Sequence, residues 1–201
     1  MNNYNEYKKE ISKIALKAVA DGLIKTIGGN ISLKIDDNLY LITATGAALD
    51  ELDESNILLI DDQGLPLEKT EHKPSQETGM HLAIYKNRQD IRAIVHLHPL
   101  VSTTLISLEE DISFATFEQE YFLKNGYKII PPLPAGSEDL KVSTSLEIKF
   151  CEILILKFHG VVSIGGNLKE AYYRIVELET AAQASLISKL LDKKILLPKF
   201  S

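Results

Sequence analysis

With 201 residues, 45% of them hydrophobic and 25% charged, the chain has an ordinary globular composition and length enough for a substantial core, so one domain spanning 1–201 is expected. A net charge of -6 with no Lys/Arg cluster argues against nucleic-acid binding, though a small anion held by backbone amides remains allowed. Met1 to Glu10 is polar and no apolar run approaches the roughly 20 residues that span a bilayer, so a cytoplasmic protein without membrane contact is expected.

Tyr4 to Asp21 places Tyr7, Ile11, Ile14, Ala15, Ala18 and Val19 three and four apart, the stripe of a half-buried helix, and Gly22 suits a left-handed cap. Gly28-Gly29-Asn30-Ile31-Ser32 is a glycine-rich turn into a strand over Ile31–Ile35. Asp36-Asp37-Asn38 then turns the chain into a second strand, Leu39–Thr43, so a hairpin is predicted. Thr43-Ala44-Thr45-Gly46-Ala47 is another small-residue turn. The two turns read either as tight turns alone or, taken together, as backbone N–H groups that cradle an anion. After a strand over Asn56–Asp61, Pro74 is predicted to open a helix through Tyr85 with Ser75 and Glu77 in its first turn, where negative charge is favoured. His81 on that helix reads as a packing residue, and His72 has no role.

Ala93 to Leu97 is a short apolar strand running into His98-Pro99. Strand side chains alternate faces, so His96 and His98 point the same way while Leu97 points into packing. Pro99 ends the strand. A lone His-x-His is compatible with hydrogen-bonded histidines or with half of a transition-metal site. A second apolar strand, from Ile153, ends in His159-Gly160. Three neutral imidazoles with an open position describe a catalytic zinc site, and a carboxylate such as Glu77 would serve it as general base.

Leu100–Leu108 is predicted helical, Ser113–Phe117 a strand, and Ile129–Gly136 a strand running into a rigid proline-rich loop. Ser137–Phe150 reads as a helix, Val161–Gly165 as a strand and Leu168–Leu191 as a long amphipathic helix. Cys151, the only cysteine, lies in an apolar run and reads as a buried small hydrophobe. Interleaved strands and helices with short connections give an α/β or α+β class.

The ordered set Gly28–Ser32, Thr43-Ala44-Thr45-Gly46, Lys73-Pro74-Ser75-x-Glu77, Met80-His81-x-x-Ile84-Tyr85, Ile94-Val95-His96-x-His98-Pro99 and His159-Gly160-Val161 resembles the class II aldolase/adducin family, from about Tyr7 to Leu191. The resemblance implies an α/β fold, a three-layer αβα sandwich with a mostly antiparallel central sheet. It implies zinc, or another divalent metal, on His96, His98 and His159, with Glu77 as an acid/base that also approaches the metal. Gly29, Asn30, Thr45, Gly46, Ser75 and Gln76 would line a phosphate pocket, and the assembly would be a homotetramer with interfacial active sites.

The implied activity is retro-aldol cleavage of a ketose phosphate to dihydroxyacetone phosphate and an aldehyde. Phe117 stands where the fuculose-phosphate aldolases carry a catalytic tyrosine, and it has no hydroxyl to donate. Glu120-Tyr121-Phe122 instead resembles the Asp-Tyr-Phe of the family's 4-epimerases, so Glu120 or Tyr121 would supply the second proton donor. The end at Ser201 implies no long C-terminal tail of active-site aromatics. Pentulose-5-phosphate 4-epimerase, methylthioribulose-phosphate dehydratase-type and oxo-acid-phosphate decarboxylase activities share such a site. A non-catalytic adducin-like scaffold is the alternative of another class.

Overall fold

The structure, a computed structural model, describes residues 4–25 and 27–195; the first residues of the polar N-terminal stretch and the chain end at Ser201 lie outside that range. In chain order the elements are α1 (Asn5–Ala20), β1 (Asn30–Asp36), β2 (Leu39–Thr43), β3 (Ile57–Asp61), α2 (Thr78–Asn87), β4 (Ala93–Leu97) and α3 (Leu100–Ser107). They continue with α4 (Phe117–Phe122), β5 (Lys128–Ile130), α5 (Glu138–Glu147), β6 (Ile153–Leu156), β7 (Gly160–Gly165) and α6 (Leu168–Leu190).

The strands form one sheet in the order β3-β2-β1-β4-β7-β6-β5. Every neighbouring pair is antiparallel except β5 and β6. Because strand side chains alternate, each central strand feeds two cores. Ile31, Leu33, Leu41, Val95 and Leu97 pack with Ile11 and Ile14 of α1 and with Ile175 and Leu178 of α6. On the other face Ile42, Ile60, Ile94, Val162 and Ile164 pack with Met80, Ile84 and Tyr85 of α2 and Leu140 of α5. Helices thus cover both faces of a mostly antiparallel sheet. Each fully buried Leu or Ile contributes about 1.5–3 kcal/mol, so the apolar stripe of α6 outweighs helix propensity in holding it.

Gly22 does cap α1, at φ +71°, and Cys151 is a buried free thiol. Two sequence expectations are corrected. The helix expected from Pro74 starts at Thr78. Residues 73–75 instead run extended against the Thr43–Thr45 turn: the Thr45 amide donates to Lys73 O at 2.9 Å and the Ser75 amide to Thr43 O at 3.1 Å. Ser113–Phe117 forms no strand, and Phe117 opens α4. There Thr116 and Gln119 make a reciprocal capping box, a local alternative that outcompetes pairing with a neighbouring strand.

Candidate metal centre and cleft

The three histidines come from two places on the sheet. His96 and His98 sit at the end of β4, one wholly buried and one half-buried, while Leu97 between them points into the α1/α6 core. His159 lies in the turn between β6 and β7, where Phe158 takes φ +59° and bends the chain sharply. β4 and β7 are antiparallel neighbours, with His96 opposite Val162, so this turn closes over the end of β4. The ring centres are 4.9 Å (His96–His98), 4.9 Å (His96–His159) and 5.2 Å (His98–His159) apart. One ligand nitrogen from each ring lies within 4.8 Å of the other two.

Glycines let this cluster close. A Cβ on Gly160 would lie 2.4 Å from Leu97 O and 3.2 Å from His96 Cε1. A Cβ on Gly29, which takes φ +66°, would lie 2.6 Å from His96 O. The glycine-rich turn therefore serves a close backbone approach to the ligand strand, beyond any anion cradle.

Glu77 sits at the start of α2, its amide donating to Ser75 Oγ at 3.2 Å. Its Oε2 accepts from Asn30 Nδ2 at 2.9 Å and lies 3.2 Å from His96 Nε2; Oε1 is 3.7 Å from His159 Nε2. Burial alone would raise its pKa. The His96 charge and hydrogen bond, the Asn30 amide and His159 together hold it well below the usual carboxylate range. Burial lowers the pKa of His96, but the Glu77 charge, its hydrogen bond and the Val161 carbonyl reverse this and raise it. Burial pushes His98 down to about 3, helped by the other two rings. His159 is lowered by burial and by His96.

The donor set fits a divalent cation. His96 Nδ1 donates to the carbonyl of Val161 at 3.0 Å, so a cation that displaces the Nε2 proton now shared with Glu77 would find the Nε2 lone pair turned toward the cluster. His96 Nε2 and His98 Nε2 then face one another at 3.1 Å, and Glu77 Oε1 is buried without a partner. Imidazole and carboxylate donors converging with one side open to a cleft are the chemistry of a first-row divalent site.

That cleft, of about 180 Å³, is lined by Glu77, His98 and His159 together with all six residues predicted for the phosphate: Gly29, Asn30, Thr45, Gly46, Ser75 and Gln76. The Thr45 amide is already taken by Lys73 and so is not free for an anion. Gly28, Ala44 and Ala47 of the two small-residue turns line it as well, and so do Ile27 and Ala135, which were not anticipated. Ala135 belongs to the proline-rich loop, whose Gly136 (φ +71°) packs on Gln76: a Cβ would sit 3.0 Å from Gln76 O. The Pro-Pro-x-Pro-Ala-Gly composition signalled a rigid loop but not what it covers. Glu120 and Tyr121 lie exposed on α4, which packs against α6, and neither lines the cleft of its own chain. His81 is buried at the α2–β1 contact with Nδ1 2.7 Å from Ser32 Oγ.

Comparison with known proteins agrees with this architecture. Residues 9–186 match the family described as Class II Aldolase and Adducin N-terminal domain. The chain belongs to that family and is a metal-dependent, class II aldolase-type enzyme. It is 37% identical over 187 residues to an L-fuculose phosphate aldolase of Methanocaldococcus jannaschii, covering 92% of this chain and 99% of that one. It is also 34% identical to a 3-oxo-tetronate 4-phosphate decarboxylase of Haemophilus influenzae, over 79% of this chain and 77% of the other. A sugar-phosphate aldolase structure from Thermotoga maritima superposes with a TM-score of 0.83 at 29% identity, covering 94% of this chain and 97% of that one.

Proposed function

We propose that the chain cleaves a ketose phosphate by a zinc-dependent retro-aldol reaction, giving dihydroxyacetone phosphate and a short aldehyde. The single observation that carries this reading is the convergence of His96, His98 and His159 beside Glu77, at a cleft that Glu77, His98 and His159 line. The likeness to a named fuculose phosphate aldolase supports it. His96, His98 and His159 would hold the cation, and a bound cation supplies Lewis-acid polarisation of the substrate carbonyl.

The chain's own residues do the rest. Gly29, Asn30, Thr45, Gly46, Ser75 and Gln76 bind and orient the phosphate. As the carbon–carbon bond breaks, its electron pair stays on the carbon beside the carbonyl, and Glu77, ionised at rest, relays a proton from water in the cleft to that carbon and ends ionised again. The hydroxyl that becomes the aldehyde oxygen loses its proton to Glu120, or through Tyr121 to solvent, on a neighbouring copy in a homotetramer. Phe117, Tyr121 and Phe158, all exposed in the single chain, support such an interface. A cytoplasmic location goes with this reading, and no helix among the described residues is long and apolar enough to cross a membrane.

A second reading, decarboxylation of a phosphorylated oxo-acid on the same site, is favoured by the likeness to the decarboxylase. Epimerisation at C4 of a pentulose 5-phosphate would use Glu120, and dehydration of a methylthioribulose-type phosphate would use the same cleft. Retention of all three histidines and Glu77 weighs against a non-catalytic scaffold.

The test is a panel of ketose phosphates and oxo-acid phosphates incubated with zinc-loaded protein, scored for aldehyde, epimer, dehydration product and carbon dioxide. Aldehyde with dihydroxyacetone phosphate is the expected outcome. Carbon dioxide without aldehyde would move the protein to the second reading, and failure to bind any divalent metal would leave the scaffold.

A further inference from the structure

A polar seam crosses an otherwise apolar contact between α2 and β1. Its first rung joins Asn30 Nδ2 to Glu77 Oε2 at 2.9 Å. Its second joins Ser32 Oγ to His81 Nδ1 at 2.7 Å. Ser32 Oγ also lies 2.9 Å from the Tyr85 hydroxyl, which donates to Arg92 O at 3.3 Å. All five side chains are buried: Asn30 is 5% exposed, Ser32 1%, Glu77 5%, His81 1% and Tyr85 2%. Around them lie Tyr40, Ile42, Met80, Ile84 and Ile94.

The rungs align because two periods match. Residues two apart on a strand share a face and are separated by about 6.7 Å. Residues four apart on a helix share a face and rise about 6 Å. Asn30 and Ser32 on β1 therefore meet Glu77 and His81 on α2 rung for rung, with Tyr85 one turn further. An apolar contact of the same volume would avoid the desolvation of five polar groups, but it would tolerate sliding and rotation of the helix. With hydrogen bonds in place, any other register leaves buried polar atoms unpaired and is disfavoured.

The cleft end of the seam is the end that carries the chemistry. Asn30 and Glu77 each use one polar atom on the other, and each keeps an unpartnered buried oxygen, Asn30 Oδ1 and Glu77 Oε1. Both residues line the cleft, whereas Ser32, His81 and Tyr85 do not.

We propose that His81, Ser32 and Tyr85 are positioning residues that fix the register of α2 on β1 and so aim the Glu77 carboxylate, through Asn30, at the cleft and the imidazoles of His96 and His159. This rests on the acid/base role given to Glu77 above, and it names three residues, outside the cleft, through which that role is set. They touch no substrate and act through Glu77.

The experiment compares Ser32→Ala, His81→Phe and Tyr85→Phe with the conservative Ser32→Thr and His81→Asn; the Asn amide can place a polar atom where Nδ1 of His81 stands. Turnover of the substrate found by the panel should fall about 10–100-fold in kcat for the first three, the scale of a misplacement of order 1 Å. KM and zinc stoichiometry should hold within about threefold, with most of the loss recovered in the conservative pair. The side-chain amide resonances of Asn30 report its bond to Glu77 without any turnover, and they should shift in Ser32→Ala and His81→Phe. Full kcat in folded variants, recovery no better in His81→Asn than in His81→Phe, or unmoved Asn30 resonances would each overturn the proposal. A wild-type protein that turns over nothing in the panel defeats the activity reading instead, and the Asn30 resonances still decide the seam.

Discussion

A methyl group on Gly160 would lie 2.6 Å from Cδ2 of His98. The residue after His159 thus fixes how near the chain can pass to His98. Its other close neighbour is Leu97 O at 2.4 Å, which is backbone and cannot swing away. Gly160→Ala should therefore push β7 from the end of β4 and open the triangle of rings. We expect zinc per chain to fall well below one, together with a stability loss of about 1–3 kcal/mol from overpacking. Metal analysis and urea melts check this. A variant that binds zinc at full stoichiometry would show that the two strands move apart freely.

Glu77→Gln keeps an acceptor for Asn30 Nδ2 and leaves all three imidazoles in place. Zinc binding should persist while turnover drops about 10²–10⁴-fold, the usual contribution of a positioned acid/base. Undiminished cleavage by the zinc-loaded variant would remove Glu77 from the chemistry.

Glu179 of α6 is buried, and its two oxygens accept the amides of Val101 and Ser102, each at 2.8 Å. These are two of the first-turn amides of α3 that lack an acceptor within the helix, a few residues after His98. A carboxylate there satisfies both amides and meets the positive end of the helix. Glu179→Ala should cost about 2–3 kcal/mol, and Glu179→Gln, which keeps one acceptor, should cost less. Chemical denaturation of both variants gives the comparison, and equal stability to wild type would mean that water replaces the carboxylate without loss.

His81 supplies a pH dependence of stability. Burial lowers its pKa from 6.5 to about 3, with Glu77 opposing and His96 adding to the shift. In the unfolded chain the ring takes a proton below about 6.5, whereas the folded chain refuses it until about 3. The unfolded state therefore binds more protons in this window. Stability contributed by the neutral ring is complete above the window and is lost as pH falls through it, with a slope of up to about 1.4 kcal/mol per pH unit. In chelator-treated protein, His81→Asn should flatten the stability profile between about pH 6 and pH 4 relative to wild type. Parallel profiles would mean that His81 is protonated in the native state.

Much of this site could be read from residue order. His96 and His98 share a face because a strand alternates, and that is local. The strands around them, the caps at Gly22 and Ser137, and the long stripe of α6 follow from short-range pattern. Where local signals competed, the weaker reading failed. Apolar Ser113–Phe117 resembles a strand, but the Thr116–Gln119 box starts a helix there. Pro74 resembles a helix start, but pairing with the Thr43–Thr45 turn delays the helix to Thr78.

Chain order alone thus singled out side chains suited to metal-binding and acid/base chemistry, because those capacities belong to the residue types and their spacing along single elements. Local spacing did not show that His159 meets His96 and His98, which only the family resemblance implied, nor that Glu179 caps α3 or that Ser32 of β1 bonds His81 of α2. Those contacts join residues 49 to 78 positions apart. They exist only once the β3-β2-β1-β4-β7-β6-β5 order sets neighbouring strands side by side and two buried cores hold the helices against them.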